Sequence, residues 1–306
     1  MKHTKIAILM STYNGESYIK EQLNSISNQE DVDIKLFIRD DGSTDRTLDI
    51  VDEFANRIDI KIIKGKNVGA GKSFMILLKE ILNSNEKFDY YALADQDDIW
   101  MNDKLKAATL MIDNNEPMLY CSNISYLKNG KIYLNNLDSN YECPNLKQFI
   151  IKCEIPGCTY VFNYEMAKVI NRIEIPTDEY LMYRYHDTWI YSLACLYGKV
   201  IYDKQSHIYY RVHNSNISMK KVTYFDKLIL SFSKKKHRKG MRSLQARQLL
   251  EKCKYLNDKD IEILKELGEY RKSIKTRLAL INDDEIYRIS DENRIVFALK
   301  VLTGFF

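Results

Sequence analysis

Four short apolar runs, at residues 5–10, 34–38, 58–63 and 90–94, alternate with stretches whose apolar residues recur at helical spacing. Tyr18, Ile19, Leu23 and Ile26 follow the first run, Leu48, Val51 and Phe54 the second, and residues 73–82 make a helix after the third. Strand and helix in this alternation predict an α/β sheet of mostly parallel strands. In such sheets ligands sit beyond the carboxyl ends of the strands, near the point where strand order reverses. Three stretches fall there: Ser11–Glu16, Asp40–Asp45 and Asp95–Trp100.

Beyond Asn115 the pattern loosens. Residues 118–122 and 131–134 read as strands around Asn129-Gly130, a hairpin turn signal. Residues 158–162 read as a strand, 186–196 as a helix stopped by Gly198, and 199–202 and 206–211 as two further strands. From about residue 218 the chain reads as helical, with Leu249, Leu250, Cys253 and Leu256 on one face. The expected organisation is a domain over residues 1–217 and a basic, mainly helical region over 218–306. A chain of 306 residues accommodates one large domain with such an appendage.

Composition excludes several classes. With 45% hydrophobic and 29% charged residues the chain is not disordered, and no window approaches a membrane span. The apolar run at 6–10 is too short for a signal peptide. Six cysteines form no CxxC pair, which points to reduced thiols in a cytoplasmic protein. The net charge of +4 hides an uneven spread, because residues 219–247 carry ten Lys/Arg against Asp226. A basic stretch on an acidic body reads as a solvated linker, a polyanion site or a contact with an anionic membrane.

The most specific chemistry is Asp95-Gln96-Asp97-Asp98 at the end of an apolar strand. Crowded carboxylates repel unless a cation neutralises them, and oxygen ligands suit Mg²⁺ or Mn²⁺. The alternative is a solvated turn capping the helix that starts near Asn102. In Asp40-Asp41-Gly42-Ser43-Thr44-Asp45, a carboxylate could accept a pyrimidine imide N–H or a ribose hydroxyl, or the turn could cap a helix through Ser43 or Thr44. Ser11, Thr12, Tyr13 and Asn14 could hold a nucleoside or cap a helix in the same way. Gly69-Ala70-Gly71-Lys72-Ser73 ends like a phosphate-binding P-loop, but that pattern needs glycine at 66, which is lysine; Gly65 is one residue too far.

Taken in order, Ser-Thr-Tyr-Asn-Gly, Asp-Asp-Gly-Ser-Thr-Asp, Asn67-Val68-Gly69 and Asp-Gln-Asp-Asp-Ile-Trp resemble the inverting nucleotide-sugar glycosyltransferases of family 2, which have the GT-A fold. Gln96 and Trp100 are similar to the rhamnosyltransferase-like branch, as are Pro156-Gly157-Cys158-Thr159, His186-Asp187-Thr188-Trp189 and Tyr210-Arg211-Val212-His213-Asn214. The resemblance covers about residues 5–217. It implies a Rossmann-like, mostly parallel sheet flanked by helices, followed by the helical C-terminal extension.

For function the resemblance implies a metal-dependent glycosyltransferase moving a sugar, L-rhamnose among the candidates, from a dTDP- or UDP-linked donor to a cell-surface polysaccharide or lipid-linked acceptor. Asp187 falls at the family's catalytic base. Asp95 and Asp97 fall in its acidic motif, where they and His213 are candidate ligands of Mn²⁺ or Mg²⁺. Asp41 falls where the base of the nucleotide is read, with Ser11, Thr12, Tyr13, Asn14, Asn67, Gly69, Lys72 and Asp95 around the donor. Trp100, Gly157, Cys158, His186 and Trp189 are candidates for the sugar and acceptor side, where aromatic faces pack on sugar C–H groups, with core packing the alternative for Trp100 and Trp189. An inactive nucleotide-sugar-binding protein of the same fold is the main alternative. A nucleic-acid partner is not expected, because no base-reading module accompanies the basic stretch. That stretch, with Tyr224, Phe225 and Phe232 interleaved, suits the inner membrane face, and the apolar residues Ile295, Val296, Phe297, Leu299, Val301, Leu302, Phe305 and Phe306 could form a second contact there; the competing expectation is that both stretches pack within the protein or build a homodimer.

Overall fold

Ile6, Ala7, Ile8, Leu9 and Met10 are all fully buried, which explains why their strand shows no alternation of polar and apolar residues: both faces are covered. The computed structural model describes residues 4–135, 141–152, 155–213 and 240–306. Its strands are β1 (Thr4–Thr12), β2 (Val32–Asp40), β3 (Asp59–Lys64), β4 (Tyr90–Ala94), β5 (Ile99–Trp100), β6 (Met118–Lys128), β7 (Lys131–Leu134), β8 (Val161–Asn163) and β9 (Lys199–Arg211). They form one sheet in the order β3-β2-β1-β4-β8-β6-β9-β5, with β7 paired to β6. The first four strands are parallel, β8 is antiparallel to β4 and β6, and β9 is parallel to β6. Because β2 and β3 extend one side of β1 and β4 the other, winding reverses at the carboxyl ends of β1 and β4.

The helices up to residue 197 are α1 (Ile19–Ser27), α2 (Thr47–Asp52), α3 (Ala70–Leu82), α4 (Lys104–Met111), α5 (Leu146–Ile151), α6 (Tyr164–Arg172), α7 (Asp178–Tyr183) and α8 (Tyr185–Tyr197). On α1, Ile19, Leu23 and Ile26 pack down, as their spacing predicts. The β6–β7 hairpin turns at Asn129 (φ 51) and Gly130 (φ 72), the two positive φ values of a type I′ turn.

Local details differ from expectation. Ser43 and Thr44 do not cap α2; Ser43 is drawn to Asp40 and Thr44 to Asn14, and the Asp45 carboxylate accepts from Thr47 N instead. The strand expected at 158–162 opens as a 3₁₀ turn over Gly157–Thr159, so pairing starts only at Val161. The two strands expected over 199–211 are one, with bulges against β6 near Asn123 absorbing the irregular stretch.

Contacts divide the chain into two units, residues 1–143, 155–175 and 185–213, and residues 144–154, 176–184 and 214–306. The second thus takes α5 and α7 as well as α9 (Met241–Lys252), α10 (Asp258–Glu269), α11 (Ile274–Asn282), α12 (Asp284–Ser290) and α13 (Arg294–Thr303). Its core includes Leu249, Leu264, Leu267, Leu280 and Ile286, whereas Leu250 and Leu256 are only partly buried. Of the two expectations for the C-terminal apolar residues, packing within the protein holds for Phe297, Val301 and Phe306, which are buried here; the Phe297 and Phe306 rings meet edge-on at 5.2 Å. On α13 only Ile295, Leu299 and Leu302 remain exposed among the large apolar residues, together with Ile274 and Leu278 on α11. Residues 219–239, most of the basic stretch, lie outside the described residues.

Candidate active site

The loops after β1, β2 and β4 are tied to one another before any ligand is considered. Gln96 exchanges two hydrogen bonds with Tyr13, accepting from its N–H at 3.0 Å and donating to its carbonyl at 3.1 Å. A Cβ on Gly15 would fall 2.7 Å from Gln96 Cδ, so glycine leaves the space this bridge needs. Asn14, at φ 47, donates its N–H to Ser43 and accepts from Thr44 N. Thr12 is fully buried and gives its hydroxyl to Asp40, which also accepts from the Ser43 N–H and hydroxyl. Thr12 therefore shapes the pocket and does not line it, a correction to its expected place beside the donor.

Just past the end of β2, Asp41 is only 2% exposed and pairs with Arg39 at 2.5 Å. It also accepts from the amides of Val68 and Gly69. Three donors leave about one of a carboxylate's four lone-pair positions for a ligand. Asn67 and Gly69 are exposed, Tyr13 is 48% exposed, and Lys72 lies half-buried in the first turn of α3. Ser11 donates to Ser73 at 2.6 Å.

The acidic loop leaves β4 through Asp95, whose carbonyl accepts from Gln22 of α1 at 2.9 Å. Burial, then Asp98, Asp97 and Asp187, push the Asp95 carboxyl well above the ordinary range. Asp97 Oδ2 lies 2.7 Å from His213 Nε2. Tyr18 stacks on the His213 ring at 4.8 Å, and Arg211 donates to the Asp97 carbonyl and, from its own N–H, to Asp98 Oδ1. The end of β9 is thereby pinned to the loop, which brings together the expected ligands Asp97 and His213.

A second grouping, Asp95, Asp98 and Cys158, has ligand atoms within 4.8 Å of one another. It suits Mg²⁺ or Mn²⁺ less well. Burial first, and then Asp98 and Asp95, keep the Cys158 thiol protonated, and these cations take oxygen ligands. Asp98, raised to about 7 chiefly by burial, is already committed to Arg211 N. Asp97 and His213, 2.7 Å apart, are the pair whose donors fit a divalent ion, while Asp95 groups with Asp98 and Cys158.

Asp187 sits in the first turn of α8, where the helix dipole favours an anion. A Cβ at Gly157 would fall 2.6 Å from Asp187 Cβ, so the 3₁₀ turn rests directly on this side chain. His186 is buried and stacks on Phe74 at 3.9 Å, and burial lowers its pKa to about 3, leaving a neutral ring. Trp100 and Trp189, expected on the acceptor side, are 2% and 0% exposed and belong to the core. Trp100 instead packs under the buried Lys104, whose Nζ lies 3.9 Å from the indole centroid. Cys158 is likewise buried beneath the loop and offers no surface to an acceptor.

Arg39, Gln22, Gln96 and Arg211 went unassigned in the sequence. Gln22 did leave a signal, as a polar residue among Ile19, Leu23 and Ile26 on the buried face of α1.

The family model for glycosyl transferase family 2 matches residues 7–168. The chain is 38% identical over 218 residues to the dTDP-rhamnosyl transferase RfbG of Shigella flexneri, covering 68% of this chain and 72% of that one. It is 32% identical over 113 residues to the poly(ribitol-phosphate) β-N-acetylglucosaminyltransferase TarS of Staphylococcus aureus, 36% of this chain but only 19% of that protein. The crystal structure of S. aureus TarS 1–349 in complex with UDP-GlcNAc superposes with a TM-score of 0.59 at 20% identity, over 97% of this chain and 81% of that one. The mannosyltransferase PcManGT from Pyrobaculum calidifontis, in complex with GDP-Man and Mn²⁺, does so at 0.55 and 15% identity, over 99% and 80%.

Proposed function

The chain belongs to glycosyl transferase family 2, and we propose that it moves one sugar, with inversion, from a nucleoside-diphosphate donor to a growing saccharide. Its fold is the GT-A fold, and its activity is sugar transfer from a nucleotide sugar. The donor is dTDP-L-rhamnose, a choice supported by the 38% identity to a dTDP-rhamnosyl transferase. The mechanism is supported by the Asp97–His213 pair at 2.7 Å, and by Asp187 in the first turn of α8 against Gly157, near enough for its charge to help raise the Asp95 carboxyl.

Asp187 accepts the proton of the acceptor hydroxyl as its oxygen attacks the anomeric carbon. The new C–O bond forms on the face opposite the bond to the diphosphate, which breaks as the nucleoside diphosphate departs. Attack and departure on opposite faces invert the anomeric centre. Asp97 and His213, with Asp95 nearby, would hold a divalent cation, which when bound would supply counter-charge for the leaving diphosphate. Asp41 accepts from the base, and the tied loops around Gln96 hold the pocket open before the donor arrives.

The acceptor is a lipid-linked saccharide reached at an anionic membrane surface. Support comes from the ten basic residues within 219–247 and from Ile295, Leu299 and Leu302 aligned on the exposed face of α13. No helix among the described residues is long and apolar enough to cross a membrane. Sedimentation with anionic vesicles should fall with salt and with Leu299→Ser; a dimer in ultracentrifugation with no vesicle binding would refute the membrane role.

Calorimetry with dTDP-rhamnose and UDP-sugars, with and without Mn²⁺ or Mg²⁺, tests the donor. Asp187→Asn should bind donor and metal normally yet lose transfer by about 10²-fold or more. Normal transfer by that variant removes Asp187 as the base, and absence of binding to every nucleotide sugar removes the donor reading.

A further inference from the structure

The P-loop-like segment after β3 has a use unrelated to phosphate. Ser73, which ends the P-loop-like run, and Gly65, the glycine one residue too far to complete it, both serve Arg39. A Cβ at Gly65 would fall 2.8 Å from Arg39 Cζ, so glycine leaves room for the guanidinium. Arg39 Nη1 donates to Ser73 Oγ at 2.8 Å, and Ser73 accepts as well from Ser11. The same guanidinium holds Asp41 at 2.5 Å and donates to the Lys66 carbonyl at 3.3 Å. Asp41 in turn receives the amides of Val68 and Gly69.

Arg39 is 5% exposed, Asp41 2% and Ser73 0%, so the group is a closed polar network. Its members come from the ends of β1 and β2, the loop after β3 and the first turn of α3, every element on the nucleotide side. A buried guanidinium offers a rigid planar fork, which can hold a carboxylate, a hydroxyl and a carbonyl in fixed directions at once.

The geometry points to Arg39 as the positioning residue of the nucleotide pocket: it fixes Asp41 and, through it, the 65–69 loop, and so sets affinity for the nucleoside diphosphate without touching the reacting atoms. The inference rests on the donor reading above. The hydrogen bonds of Arg39 go to Asp41, Ser73 and the Lys66 carbonyl, groups placed here to hold the nucleotide in ground state and transition state alike. Disturbing it should therefore raise KM and spare kcat.

Arg39→Lys keeps the charge, so Asp41 is not left buried against nothing, but loses the fork. Gly65→Ala keeps the arginine and displaces it. In calorimetry with UDP and dTDP, both variants should bind about 10-fold or more weakly, the scale of one hydrogen bond to a charged group. Donor KM should rise in parallel while kcat stays within about 2-fold. Near-UV circular dichroism matching the wild type establishes folding. Folded variants with unchanged nucleotide affinity, or with kcat falling in place of affinity, overturn the role of Arg39. Failure of the wild type to bind either nucleotide overturns the donor reading beneath it.

Discussion

Gly157→Ala perturbs the proposed base without altering any ionisable group. An ideal Cβ at 157 falls 2.6 Å from Asp187 Cβ and 3.4 Å from its Cγ and Oδ2. Carbon atoms in contact sit about 3.5–4.0 Å apart, so the two residues must separate by about 1 Å. The clashing atom is a Cβ, rigidly joined to the backbone of α8, so no rotamer change relieves it. Either the helix end or the 157–159 turn has to move. Overpacking of this kind costs about 1–3 kcal/mol of stability. A base misplaced by about 1 Å costs about 10²-fold in rate. The expected variant is folded, binds donor and metal as the wild type does, and transfers sugar about 10²-fold more slowly. In the Asp187→Asn background the same alanine should cost little further, because the group it displaces no longer accepts the proton. Stopped transfer assays with calorimetric donor binding give both numbers. A folded Gly157→Ala enzyme with wild-type kcat, or full additivity with Asp187→Asn, refutes the reasoning.

Asp97→Ala and His213→Ala should each weaken Mn²⁺ binding, read by electron paramagnetic resonance, while nucleotide binding without metal changes little; equal Mn²⁺ affinity in both removes the pair as ligands. Lys104 is fully buried, and its pKa is lowered from 10.5 to about 8 chiefly by burial. The shift corresponds to a penalty of about 3 kcal/mol at neutral pH. Lys104→Met should therefore raise Tm at pH 7 and abolish the gain in stability that the wild type shows between about pH 8 and 10.5; a lower Tm means the ammonium has a compensating partner. His207 has its pKa raised, first by its hydrogen bond to Asp203 and then by Asp103, against burial. Protonation thus favours the folded state, so this contribution is full below about pH 6.5 and fades as pH rises through the raised value. His207→Gln should flatten that decline in thermal unfolding, and an unchanged profile would show that the decline arises elsewhere.

The parts of this molecule that could be read in advance are those whose signal is local. Residues 6–10 and 90–94 announce strands covered on both faces because nothing polar interrupts them. The polar residues that follow them announce a ligand edge because parallel strands present their carboxyl ends together. Aromatic residues carry no such local mark: Trp100 and Trp189 in a core look the same in sequence as a tryptophan facing a sugar. Phe297, Val301 and Phe306 left a contact surface and a core as alternatives for the same reason, since an apolar helix face does not say what covers it. Supports are harder still, because a support is defined by its partner. Arg39 meets Ser73 across 34 positions, and Gln22 meets Asp95 across 73. The near-miss P-loop shows how such partners can be sought. A glycine and a serine that fit a motif imperfectly, with the wrong spacing after the wrong strand, still need a physical reason to be there. Here the reason is the volume and donors of one buried arginine, and its energetic weight follows from Asp41, a carboxylate that would otherwise be buried unpaired.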